Sequence, residues 1–94
     1  VKTLSKELSH YNIRVNAISP GLTETDLMKS NTKEEVIKSE IEKISLKRLA
    51  ATSEIADVIL FLASEKSSYV NGQNIVVDGG NLWKSISLRI LQKI

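Results

Sequence analysis

The sequence has no cysteine, a single histidine, no long apolar run and no large excess of charge of one sign. Each absence removes a class of function. Without cysteine there is no disulfide, no thiol nucleophile and no cysteine-ligated metal. One histidine argues against a protein-ligated zinc site. Thirteen basic and eleven acidic residues leave a net charge of +2, which gives no case for nucleic acid, since that would need a clustered basic face. The longest apolar run, Val58 to Ala63, is far short of the roughly 20 residues that a membrane helix needs. The opening Val1-Lys2-Thr3-Leu4 is not a signal peptide and carries no initiator methionine. What is present is a chain of 94 residues, 41% apolar and 26% charged, enough for one small domain or a piece of a larger one. These features fit a cytoplasmic protein.

Val1, Leu4, Leu8 and Tyr11 recur at helical spacing, so residues 1–10 read as the end of a helix without an N-cap. Asn12 is its expected stop, because asparagine adopts the left-handed conformation cheaply. Ile13 to Ile18 reads as a strand, ended by Pro20, which cannot donate to a continuing ladder. Residues 21–31 read as a polar loop. Thr32 and Glu35 then match a capping box, and Ile37, Ile41 and Ile44 predict a helix of about three turns. Residues 46–51 look irregular. Thr52 or Ser53 caps a further helix with Glu54 in its first turn. That helix is apolar from Ile55 to Ala63 except at Asp57, so it is expected to be buried on nearly all sides. After an Asn71-Gly72 turn, Ile75-Val76-Val77 reads as a strand covered on both faces, ended by Asp78-Gly79-Gly80. Leu82, Ile86 and Ile90 give the tail a helical spacing.

The order helix, strand, helix, helix, strand is α/β, with a parallel pair of strands expected. Two strands with both faces apolar do not make a domain, because a parallel sheet is a buried structure. The chain therefore reads as the closing part of a larger fold. Within it, Asn16 to Asp26 is the most informative stretch. A strand that stops at Pro-Gly and releases a loop of hydroxyls and acids is how open α/β sheets present a ligand edge.

Four segments carry a family resemblance: Leu4-Ser5-Lys6-Glu7-Leu8; Ile13 through Gly21; Arg48 followed by Ser53-Glu54-Ile55-Ala56; and Ser68-Tyr69-Val70-Asn71-Gly72-Gln73 with Val77-Asp78-Gly79-Gly80. In this order and spacing, the chain resembles the C-terminal portion of the short-chain dehydrogenase/reductase (SDR) family. The resemblance implies the C-terminal part of a doubly wound Rossmann parallel sheet, its last two strands with flanking helices. Residues 1–80 are family-like and 82–94 an extra tail, all within one NAD(P)-binding domain. It implies an oxidoreductase that reduces a carbonyl or oxidises an alcohol by hydride transfer, with NAD or NADP as cofactor. A homo-oligomer, dimer or tetramer, is implied too. The Pro20-Gly21-x-x-x-Thr25-Asp26 pattern is similar to that of 3-oxoacyl-acyl-carrier-protein reductases, which would make the substrate an acyl thioester. Sugar and polyol dehydrogenases share the pattern.

The family's catalytic tyrosine and lysine, spaced Tyr-x-x-x-Lys, have no counterpart here: Tyr11 is followed four residues on by Val15, and Tyr69 by Gln73. Aligned through Lys6-Glu7-Leu8, the lysine falls about two helical turns before Val1. The catalytic serine and the glycine-rich phosphate loop belong upstream as well. The resemblance leaves one wall of a cofactor site, the nicotinamide side. It carries over position by position to Pro20, Gly21, Leu22, Thr23 and Thr25. Glycine lets backbone approach a ligand closely, and a carboxamide needs both a donor and an acceptor. The segment from Asp26 to Leu49 would be the substrate lid. Simpler roles stand beside these: Thr25 also suits a helix or turn cap, Glu24 and Asp26 suit solvated loop acids, and Asp78-Gly79-Gly80 suits a structural turn at a subunit interface. No residue of the chain is expected to be catalytic. The alternative is a truncated, catalytically silent chain that at most pairs with other subunits.

Overall fold

A computed structural model describes residues 1–81; the expected tail helix lies outside the described residues. In chain order the elements are α1 (Lys2–Ser9), β1 (Ala17–Pro20), α2 (Asp26–Asn31), α3 (Glu34–Glu42), α4 (Thr52–Ala63), a 3₁₀ turn (Glu65–Ser67) and β2 (Asn74–Val77). They fall into two units. Among the described residues, one comprises Val1–Pro20 and Thr52–Val77; the other comprises Gly21–Ala51 and residues 78–81.

The first unit holds the sheet. β1 and β2 pair in parallel, with Ala17 opposite Asn74 and Pro20 opposite Val77, so the expected α/β pairing is present. The strand begins later than Ile13. Before Ala17 the ladder position is taken by a side chain: Asn71 Oδ1 accepts from the Val15 N–H at 2.9 Å. Regular pairing starts with Ala17 N–H donating to the Gln73 carbonyl at 2.8 Å. Pro20 is the strand's last residue, where the absent donor costs nothing further along the ladder. Asn12 ends α1 in the left-handed conformation, φ 60°. Its N–H donates to the Ser9 carbonyl at 3.0 Å and that of Ile13 to Leu8 at 3.3 Å, a Schellman-type closure.

Arg14 fastens the far end of α4. Its guanidinium donates to the carbonyls of Leu62, Ser64 and Val70 and to the hydroxyl of Ser67, all at 3.0–3.1 Å. The last carbonyls of a helix have no partner inside it, and a planar cation with several donors answers several of them at once. Asn16 works beside it, donating to the Val70 carbonyl and accepting from the Gln73 N–H.

The expected full burial of α4 is not observed. No residue of α4 is buried, and Ile59, Leu60 and Phe61 are 53%, 69% and 45% exposed. One face of β2 is bare as well, at Val76. Enclosing an apolar helix and a parallel strand takes elements on both sides, and two strands among 81 described residues do not supply them.

In the second unit, residues 21–31 are not all loop. Thr25 Oγ1 accepts from the Met28 N–H at 3.1 Å and starts α2, with Asp26 in the first turn, where the helix dipole favours an anion. Thr32 is then extended, at the C-terminal end of α2, and Lys33 takes the cap position of α3 without a side-chain bond. The expected capping box does not form, because Thr32 closes α2 as its C-cap before α3 opens. Ile44, 1% exposed, is the buried apolar side chain of the described residues. It sits against Gly79, whose absent Cβ would stand 2.9 Å from Ile44 Cγ2.

Candidate functional site

The five residues assigned to the cofactor edge lie on one continuous stretch. Pro20 is exposed at the end of β1. The remaining four belong to the second unit, and its local geometry fixes them. Gly21 is half-buried, and a Cβ there would stand 2.7 Å from Asp78 Cα. Leu22 and Glu24 are held by main-chain pairing to Ala50. The Ala50 N–H donates to the Leu22 carbonyl at 3.0 Å, and the Glu24 N–H donates to the Ala50 carbonyl at 2.8 Å. Thr23 bridges to Ala50 between them. The loop is therefore a built segment of backbone, not a free tether.

The two threonines differ in what they can still offer. A hydroxyl has one proton and two lone pairs. Thr23 Oγ1 spends its proton on the Gly21 carbonyl at 3.1 Å and keeps lone pairs. Thr25 Oγ1 spends a lone pair on the Met28 N–H and keeps its proton. One residue is thus an acceptor and the other a donor, the pair of capacities that a carboxamide requires. Thr25 serves as the cap of α2 and retains this capacity at once.

Beside the loop, α2 and α3 bound a cleft of about 500 Å³ lined by Met28, Ile37, Ile41 and Leu49, with Thr32 also on its wall. Its charged rim is internally paired. Lys29 meets Glu24 at 2.7 Å and Lys38 meets Glu34 at 3.7 Å. The hydrogen bond from Lys29 to Glu24, then the charge of Glu24, hold the Lys29 ammonium above its usual 10.5. Among the described residues no three acidic, histidine or cysteine side chains come close enough to hold a metal ion. What the arrangement offers is main-chain groups, two hydroxyls and an apolar wall: binding and orientation. Sequence reasoning missed Ala50, the loop's partner, and the contact of Gly21 with Asp78. An alanine carries no signal of such a role, and the contact joins distant positions.

The chain has relatives among known proteins. A family model described as Enoyl-(Acyl carrier protein) reductase matches residues 1–81. Over 79 residues the chain is 49% identical to a 3-oxoacyl-acyl-carrier-protein reductase of Thermotoga maritima, covering 84% of this chain and 32% of that protein. Among solved structures it is similar to the 3-oxoacyl-acyl-carrier-protein reductase of Brucella melitensis, with TM-score 0.81 and 40% identity over 86% of this chain and 30% of the other. It is also similar to a 4-hydroxyisoleucine dehydrogenase complexed with NADH, with TM-score 0.73 and 32% identity over 84% of this chain and 33% of the other. The chain spans about a third of the length of these relatives. Its parallel pair and flanking helices are part of a Rossmann α/β fold, and the chain belongs to the short-chain dehydrogenase/reductase family.

Proposed function

We propose that residues 1–94 are the C-terminal part of an NAD(P)-dependent oxidoreductase, and that Pro20, Gly21, Leu22, Thr23 and Thr25 contact the nicotinamide end of its cofactor. The observation that carries this reading is the complementary pair of hydroxyls on a loop pinned to Ala50. Thr23 would accept from the carboxamide NH₂ and Thr25 would donate to its oxygen, which fixes which face of the ring meets the substrate. The bound nicotinamide would supply or take up the hydride. The catalytic serine, tyrosine and lysine would come from a longer parent polypeptide, and this segment alone would be inactive. Relatives named 3-oxoacyl-acyl-carrier-protein reductase favour an acyl thioester substrate. The apolar cleft beside α2 and α3 is the kind of wall such a chain needs.

The exposed apolar residues of α4 and β2 need cover that the described residues do not give. The rest of a Rossmann domain and a second subunit would supply it, consistent with a homo-oligomer. No described helix is long and apolar enough to cross a membrane, and the cytoplasm is the compartment we propose.

The first test is the coding sequence upstream of Val1. An in-frame Tyr-x-x-x-Lys about two helical turns back, followed by oxidation of NADH or NADPH by the parent polypeptide with a 3-oxoacyl thioester, is the expected result. A stop codon at that place would overturn the reading.

A further inference from the structure

Gly21 is a glycine for a reason other than its dihedral angles. The glycines of the chain with positive φ are Gly72, Gly79 and Gly80; Gly21 is not among them. Yet a Cβ on Gly21 would lie 2.7 Å from Asp78 Cα and 2.8 Å from Asp78 Cβ, closer than real carbon atoms pack. The side of Gly21 where a side chain would stand is occupied by protein, not kept open for a ligand. The seat of the loop is Asp78.

Asp78 is itself fixed. Its Oδ1 accepts from the Gly80 N–H at 3.0 Å, the side-chain turn that aspartate makes with backbone two residues on. The carbonyls exposed by that turn are used at once. Gly79 accepts from the Leu46 N–H at 3.1 Å, and Gly80 from the Ser45 N–H at 2.9 Å and the Ser45 hydroxyl at 2.7 Å. Ala50, a few residues later, returns to Leu22 and Glu24. Gly21, Asp78, Gly80, Ser45 and Ala50 thus close a ring of contacts, main-chain except at the Asp78 carboxylate and the Ser45 hydroxyl, around the candidate loop.

We propose that Asp78 is a positioning residue for the nicotinamide end of the cofactor: its carboxylate sets the turn, the turn seats Gly21, and Gly21 sets where Thr23 stands. This rests on the cofactor-edge reading above. The task asks only for an acceptor oxygen, so asparagine can perform it and alanine cannot.

The test compares two ligands on the parent enzyme: the reduced dinucleotide it prefers, and ADP-ribose (or its 2′-phosphate), which lacks the nicotinamide. Asp78→Ala should weaken dinucleotide binding about fivefold or more, the scale of one lost hydrogen bond, and leave ADP-ribose unchanged. Asp78→Asn should restore most of the loss. Equal weakening of both ligands, unchanged dinucleotide binding, or an asparagine variant as weak as the alanine one would each overturn the proposal. If Asp78→Ala does not fold, Asp78→Ser carries the test, since serine makes the same turn bond more weakly. A smaller loss confined to the dinucleotide supports the proposal, and no loss overturns it. A wild-type parent that binds the dinucleotide no tighter than ADP-ribose removes the cofactor-edge reading itself, and the proposal with it.

Discussion

The guanidinium of Arg14 donates to Ser67 Oγ at 3.0 Å, and that hydroxyl, on a side chain 1% exposed, lies 2.9 Å from the Leu62 carbonyl, to which it donates. One arginine and one serine therefore finish α4 and join it to the strand-entry segment. Arg14→Ala should destabilise the parent polypeptide by about 2–4 kcal/mol, since it strips a charged donor from several part-buried acceptors. Arg14→Lys should recover little, because an ammonium cannot reproduce the planar fork. Urea denaturation of the three proteins checks this; a lysine variant as stable as wild type would refute the geometric account.

Gly72 stands at φ +71°, and a Cβ there would approach Ser5 Oγ to 2.7 Å. Ser5 is 5% exposed and spends its proton on the Lys2 carbonyl at 2.7 Å. Gly72→Ala should cost about 1–3 kcal/mol, combining left-handed strain with overpacking. In the double variant Gly72→Ala with Ser5→Ala the steric part should be relieved and the strain should remain. Thermal melts of the set measure the coupling.

Thr25 carries two duties that substitution separates. Thr25→Ala loses the cap and should lower stability by about 1 kcal/mol, besides weakening cofactor binding. Thr25→Ser keeps the oxygen and should preserve both. Thr23→Val should weaken cofactor binding with a smaller change in stability. Fluorescence titration with NADH or NADPH, run beside urea curves, resolves the two effects.

Lys29 titrates above its ordinary value because it hydrogen-bonds to Glu24 and feels its charge. A lysine whose folded pKa exceeds its unfolded one contributes stability that is complete below 10.5 and is lost as pH rises through the folded value. The contribution should therefore be flat across neutral pH and vanish only in strong alkali. Glu24→Gln should move the Lys29 midpoint back toward 10.5, as read from the shift of its Cε carbon in an NMR titration.

Among the described residues, Ile59, Leu60, Phe61 and Val76 are exposed. Such apolar surface and open strand edges drive association, so the isolated chain should self-associate and bind NADH or NADPH feebly. Leu60→Lys should reduce the association. Sedimentation velocity decides it, and a cooperative melt from a monomer would contradict the expectation.

What the sequence disclosed followed from short-range chemistry. The helical spacing of Leu4 and Leu8, the left-handed stop at Asn12 and the turn at Gly72 are local, and the structure has them. α2 escaped notice because six residues are too few for a periodicity; its sign was the cap Thr25, which a turn could equally have used. The start of β1 moved because the side chain of Asn71, far along the chain, takes a backbone bond. The burial expected for α4 depends on surfaces beyond any stretch of sequence that encodes the helix. At the candidate loop, the hydroxyls and the Pro-Gly were legible, whereas the ring of Asp78, Ser45 and Ala50 is a product of tertiary folding.

That ring has a consequence for how such a protein diversifies. α2 and α3 leave the ring after Glu24 and re-enter it at Ser45, both points held by main-chain bonds that are indifferent to side-chain identity. The two helices form a cassette with standard ends. Their length and apolar lining can be exchanged by evolution, or by grafting, while the anchor of the candidate loop stays in place.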